Sequence, residues 1–291
     1  MRRAWSRLFL GIGAAIGLCG CGEEYDPKVL RFDIDQPLGQ EGFYCFRYER
    51  PELAGKTLRG FRWQPPEDTS LQLHHAVLYV LFGLAPDDEE SRCGQNLDVA
   101  SQLHAWAPGG DVFAFPPGVG YQLPENLNRL DIDVHVLRLA EGPEQTARVT
   151  LDITDEPATH TAGLFKGTAR VPSIPPHETT TSVGLCRMEE TVHVIGVWPH
   201  MHVAGKEFRG DLIRANGERE TLVHLDPWDW HNQKIHPLDL ELRPGDKIET
   251  TCVWGNPTPE PILPGGLTTE EMCEQTFFAY PREAARCIRE Y

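Results

Sequence analysis

The chain has 291 residues, 40% of them apolar, and a formal net charge of −16 at pH 7. That acidity excludes nucleic acid and anionic membrane surfaces as partners held by charge, and leaves a soluble acidic exterior. The length suffices for one large or two ordinary cores, and 27 Gly with 24 Pro argue for many turns and few long helices, hence an all-β protein.

Residues 1–21 form an address. Arg2, Arg3 and Arg7 make a basic start, Leu8 to Leu18 is an apolar run too short for a permanent span, and Leu18-Cys19-Gly20-Cys21 follows. The pattern resembles a bacterial lipoprotein signal with Cys21 as the lipidated first residue; ordinary signal cleavage and a short anchor are the competing readings. A lipidated Cys21 would tether the protein to a membrane of the bacterial envelope from outside the cytoplasm, each buried methylene contributing about 0.8 kcal/mol. No later stretch is apolar and long enough to cross a bilayer.

From Glu23 to about Gln36 the text reads as a tether leading into a first strand. Phe43 to Tyr48 alternates as a strand, Pro65 to Asp68 is a turn, and Leu71 to Phe82 is a strongly apolar strand containing His74 and His75. Adjacent residues on a regular strand face opposite ways, so for both histidines to meet one ligand the strand must kink or bulge there. Asp87 to Asn96 is charged and loop-like, and Ala105 to Gly110 and Phe113 to Gly120 carry the Gly and Pro of turns. Leu130 to Leu139, which bears His135, and Thr146 to Ile153 are alternating strands, and the first domain, 22–158, closes near Asp155-Glu156-Pro157. His104 and His160 read as surface or packing residues.

The second domain, 159–291, repeats the style, with strands at Ala162 to Val171, Ser182 to Arg187, Thr191 to Trp198, Glu207 to Arg214, Glu220 to Leu225 and Lys247 to Trp254. Trp198-Pro199-His200-Met201-His202 ends the third of these. In an extended segment His200 and His202 project to one side, roughly 7 Å apart at Cα, within reach of one metal ion. Farther on, Thr268 to Cys273 sets Met272 beside a cysteine. Two imidazoles and a thioether suit copper, Cu(I) above all, better than zinc. Trp228 to Gln233 reads as a packed aromatic corner whose polar groups could also hydrogen-bond a ligand histidine from behind. With Cys19 in the leader and Cys21 assigned to lipid, Cys45, Cys93, Cys186, Cys252, Cys273 and Cys287 remain for an oxidising compartment, and six cysteines allow 15 pairings.

The order His74-His75, His135, His200-x-His202, Glu271-Met272-Cys273 resembles the type II copper, ascorbate-dependent monooxygenases, the family of peptidylglycine and dopamine beta-monooxygenases. Ala105-Trp106-Ala107-Pro108-Gly109, Pro117-Gly118-Val119-Gly120-Tyr121 and Pro244-Gly245-Asp246, ahead of a strand with Cys252, extend the likeness over roughly residues 40–285. The resemblance implies two antiparallel, jelly-roll-like β-sandwich domains with a copper site on each, facing an interdomain cleft. His74, His75 and His135 would hold an electron-transfer copper, and the catalytic set His200, His202 and Met272 the copper that meets dioxygen. It further implies disulfides Cys45–Cys93, Cys186–Cys287 and Cys252–Cys273, two coppers per chain, a small-molecule substrate, O2, and ascorbate or another one-electron reductant.

Departures bear on the substrate. Trp198 stands where peptidylglycine enzymes have a carboxylate-anchoring arginine, and Glu274 and Thr276 stand where they have asparagine and tyrosine, which disfavours peptide amidation. Asp133 and Val136 replace the residues more usual around the third histidine. The competing functions are a copper-binding envelope lipoprotein without oxygenase activity and a structural β-sandwich lipoprotein with vestigial histidines. A zinc hydrolase is disfavoured because no carboxylate sits at ligand spacing beside either histidine pair.

Overall fold

Strand β1 (Val29–Ile34) buries Leu30, Phe32 and Ile34 and exposes Arg31 and Asp33, the period-two pattern of a strand with one face on a core. The same logic builds the rest of the computed structural model, which describes residues 26, 28–34, 38–65, 71–82, 93, 100–110, 112–138, 140–141 and 145–290. The leader with Cys21, and most of the charged stretch from Asp87 to Asn96, lie outside the described residues. The first half continues with β2 (Glu41–Glu49), β3 (Thr57–Gln64), β4 (Leu71–Phe82), β5 (Ala100–Trp106), β6 (Val112–Ala114), β7 (Val119–Gln122), β8 (Leu127–Arg138), β9 (Gln145–Thr154) and β10 (His160–Thr161). The second half holds β11 (Gly163–Thr168), β12 (Thr179–Met188), β13 (Val192–His200), β14 (Gly205–Ile213), β15 (Arg219–Leu225), β16 (His236–Leu242), β17 (Lys247–Gly255), β18 (Glu274–Tyr280) and β19 (Cys287–Glu290).

Two sheets form in each half. In the first, β1-β9-β3-β7-β10 with β6 beside β3 faces β2-β8-β4-β5; in the second, β11-β18-β13-β16 faces β15-β14-β17-β12-β19. Each pair of sheets encloses its own apolar core, one running from Leu30 to Ile153 and one from Phe165 to Ala285. A third, smaller cluster joins the halves: Ala105, Ala107 and Val119 meet Ile195, Trp198 and Phe278, and the Phe113 and Phe278 rings lie 4.6 Å apart. The all-β expectation therefore holds, and among the described residues the named strands pair antiparallel except β10 with β7. The stretches that read only as turns, Ala105–Gly110 and Phe113–Gly120, in fact contribute the end of β5 and parts of β6 and β7. Their glycines and prolines mark the corners between short strands rather than one long loop.

The disulfides are Cys45–Cys93, Cys186–Cys287 and Cys252–Cys273, the pairing that the resemblance implies. Cys186–Cys287 closes a loop of 101 residues and fastens the last strand to β12. Cys252–Cys273 ties the residue after Met272 to β17, so the segment entering β18 is held covalently.

His104 is a packing residue, with 1% exposure. It stacks on Phe61 at 4.5 Å and contacts Trp63, Phe113 and Phe278, and neither ring nitrogen has a hydrogen-bond partner. Burial pulls its pKa down to about 3. The unfolded chain then binds a proton below about pH 6.5 that the folded chain refuses, so stability is lost as pH falls from there toward the folded value, by about 1.4 kcal/mol per pH unit. His104→Phe is expected to flatten the acid limb of the stability curve by that slope, measured as urea-unfolding free energies at pH 7, 6 and 5; an unchanged slope would show that the imidazole is not held neutral.

Candidate metal centre

The ladder between β4 and β8 slips by one residue between Leu73, paired with Val136, and His75, paired with His135. His74 is the extra residue. An inserted residue breaks the alternation of faces, and as a result the His74 and His75 rings converge to 5.2 Å instead of pointing apart. His135 faces His75 across the ladder with rings 5.0 Å apart, and Phe43 of β2 lies flat on His135 at 4.1 Å. Behind His135, its Nε2–H donates to Glu41 Oε1 at 2.6 Å.

His200 is the last residue of β13, where it pairs with Glu274 of β18. Its Nδ1–H donates to Gln233 Oε1 at 2.7 Å, while Gln233 Nε2 donates to the Trp230 carbonyl. The Trp198 indole stacks on the His200 ring at 5.0 Å and donates to the Gln233 carbonyl. His202 Nδ1–H donates to the Glu270 carbonyl at 2.9 Å. The carboxylate of Glu271, 1% exposed, accepts from the backbone N–H groups of His202, Ala204 and Met272 and from the Trp254 indole. Burial pushes its pKa up to about 7 against these donors. Trp228 donates to the His202 carbonyl and packs where a side chain at Gly205 would stand, 2.5 Å from its ring. The turn after His202 therefore demands glycine.

Met272 is half-buried, two residues before the residue opposite His200. Extending that register sets Met272 across from His202, in keeping with the bonds from Glu270 and Glu271 to His202. Met272, Glu274, Arg170 and Arg289 line one cavity of about 350 Å³, which none of the five histidines lines.

The two histidine sets do not face each other across a gap. His74 lies 5.0 Å from His202 and 6.1 Å from His200, and His75 lies 5.7 Å from His200. Among these five histidines, ligand atoms within 4.8 Å of one another form two triads, His74-His75-His135 and His74-His200-His202, which share His74. The expected open cleft is replaced by contact because the halves are pressed together by the Phe113–Phe278 cluster and pinned by two hydrogen bonds. Gln233 N–H donates to the Pro108 carbonyl at 2.7 Å, and Thr268 N–H donates to Glu41 Oε1 at 2.7 Å.

The donor set fits copper. Burial, reinforced by neighbouring histidines, holds the imidazoles of His74, His75 and His200 below their usual range, His200 at about 3. Burial also lowers His135 and His202 against the pull of their hydrogen-bond acceptors. Neutral imidazoles are ready ligands with no proton to lose. Buried ring nitrogens without a partner are Nδ1 and Nε2 of His74, Nδ1 of His75 and His135, and Nε2 of His202. With Nε2 of His135 and Nδ1 of His200 and His202 engaged from behind, His135 offers Nδ1 and His200 and His202 offer Nε2. Orphaned nitrogens at this depth are costly unless something accepts them, and nitrogen-rich sites with an adjacent thioether suit copper.

Trp228 to Gln233 is thus both an aromatic corner and the support of His200. Glu41 and Glu271 were not legible as functional residues. Glu41 is 94 residues from His135 in sequence, and nothing in the text around it marks it; Glu271 is marked only by its place beside Met272.

Fold and site together make a β-protein with clustered, unpartnered histidines, and its second half carries the signature of the type II copper monooxygenase family. Residues 161–290 match the model of the copper type II ascorbate-dependent monooxygenase C-terminal domain. The human DBH-like monooxygenase protein 1 is 28% identical over 208 residues, 64% of this chain and 34% of that protein. Peptidyl-glycine alpha-amidating monooxygenase A of Xenopus laevis is 24% identical over 261 residues, 86% of this chain and 27% of that protein. Dopamine beta-hydroxylase of the dog is 27% identical over 62% of this chain and 32% of its own length. The chain thus spans about a third of the length of these relatives.

Gln233→Leu removes the acceptor that orients His200 without touching a candidate ligand. Loss of such a partner lowers metal affinity by about 10–100-fold. Competition titration with a Cu(I) chelator is expected to show that loss in one of the copper-binding steps, the other unchanged; equal affinities in wild type and variant would mean that Gln233 does not orient a ligand.

Proposed function

We propose that this chain is a copper-dependent monooxygenase that hydroxylates a C–H bond of a small substrate with O2 and an external one-electron reductant, ascorbate or another. One oxygen atom enters the C–H bond as C–OH and the other leaves as water, consuming two electrons and two protons. The observation that supports this best is the pair of neutral imidazole triads with buried, unpartnered nitrogens on His74, His75, His135 and His202. Similarity to monooxygenases over most of the chain points the same way.

His74, His75 and His135 would hold one copper, and His200, His202 and Met272 the other, on domains 22–158 and 159–291. Copper bound to imidazole alone cycles between its two oxidation states, and a thioether ligand favours Cu(I), the state that meets O2. The protein's own part is orientation. Glu41, Gln233 and the Glu270 carbonyl fix which nitrogen each ring presents, Glu271 holds the turn after His202 to the segment carrying Met272, and the apolar seam excludes water from the cluster. The two sets, in contact through His74, would hold groups able to exchange an electron.

Trp198 covers the face of His200, and Glu274 is paired with Lys166 at 2.8 Å, close beside it. This surface differs from one built to clamp a peptide carboxylate, and supports a substrate outside peptide amidation. On this reading Cys21 carries the lipid and the enzyme works on the outer side of a bacterial membrane.

The decisive experiment is copper stoichiometry under reducing conditions, with reductant-dependent O2 consumption, for a form beginning at Gly22 and the same protein carrying Met272→Ala. Two Cu(I) per chain are expected, with one weakened at least tenfold by the substitution and O2 consumption lost. Fewer than two coppers, or no effect at Met272, would remove the monooxygenase reading.

A further inference from the structure

A single carboxylate oxygen lies where the two halves meet at the cluster. Glu41 Oε1 accepts from His135 Nε2–H at 2.6 Å and from the backbone N–H of Thr268 at 2.7 Å. Its side chain is 17% exposed and the imidazole beside it 0%, so both bonds are shielded from water. Thr268 belongs to segment 263–272, which also supplies the carbonyl that His202 bonds and carries Glu271 and Met272. The segment rests on the same strand at a second point: a side chain added at Gly266 would lie 3.7 Å from the tip of the Phe43 ring, and Phe43 is the residue stacked on His135.

We propose that Glu41 is a positioning residue that sets the donor strength of His135 and, through Thr268, registers the segment carrying Met272 against the first histidine set. This rests on the copper reading above. The chemistry follows from where the ring proton sits. A carboxylate accepting from Nε2–H fixes the tautomer, leaving Nδ1, the orphaned nitrogen, as the donor to metal, and makes it more basic. Negative charge behind the ring stabilises Cu(II) over Cu(I) at that site. Because the same oxygen holds the Thr268 amide, a change in the charge of the first site is felt by the segment that completes the second.

Two substitutions separate the two roles. Glu41→Gln keeps an acceptor oxygen and removes the charge; Glu41→Ala removes both. In the metal-free protein, ¹⁵N shifts of the His135 ring are expected to show the Nε2–H tautomer in wild type and a mixture in Glu41→Ala. Deuterium exchange at Thr268 is expected to rise at least tenfold in Glu41→Ala and to stay near wild type in Glu41→Gln. In the copper-loaded protein, Glu41→Gln is expected to shift the potential of the imidazole-only copper upward and lower its Cu(II) affinity about 10–100-fold, with the copper–sulfur scattering of the other site unchanged. An unshifted potential in Glu41→Gln, an unchanged tautomer, or unchanged exchange in Glu41→Ala would each overturn the proposal. A wild type that binds no copper would instead sink the monooxygenase reading, and the tautomer and exchange measurements would still decide whether Glu41 positions His135 and the segment.

Discussion

Five imidazoles are desolvated against one another, and everything else in this molecule is arranged around that fact. A buried histidine ordinarily finds acceptors for its N–H and donors for its lone pair, and rings that lack them destabilise the fold. Here the rings approach to about 5 Å centre to centre with nitrogens left open. The two cores and three disulfides are what hold such a cluster in place. The apolar seam around Phe113 and Phe278 joins the halves, and His74, His135, His200 and His202 are at most 3% exposed.

Orientation is supplied from behind by acceptors of three kinds: a carboxylate at His135, an amide at His200 and a backbone carbonyl at His202. The three differ in charge and rigidity, so the rings they hold differ as donors even though all are imidazoles. The carboxylate stands behind the set of His74, His75 and His135, and the neutral acceptors stand behind His200 and His202. On the proposed reading, a negative charge behind one copper and none directly behind the other would give the two metals unlike potentials.

Much of this was readable in the text, and the parts that were not have a common cause. Strands with one face on a core, such as β9, announce themselves by alternation. The bulge at His74 follows from two adjacent histidines that must turn the same way, and the ladder has it at that residue. By contrast β18, buried on both faces from Gln275 to Ala279, shows no alternation to find. The meeting of the two histidine sets depends on residues as distant as Phe113 and Phe278, and the acceptor at His135 comes from another strand. Local pattern carries the elements and the ligands; which side chains stand behind those ligands is decided by tertiary packing, which no short stretch encodes.

The slipped pairing at His74 gives the site an unusual relation to length change. In a regular strand, losing one residue shifts a register, and the chain has some freedom in where to absorb the shift. In β4 the extra residue is His74, a member of both histidine triads, and deletion of any one residue near it would restore an uninterrupted ladder in which neighbouring side chains point to opposite faces. The strand would pair better and the triad would lose a member. This stretch is therefore open to change of side chain at its flanks and closed to change of length.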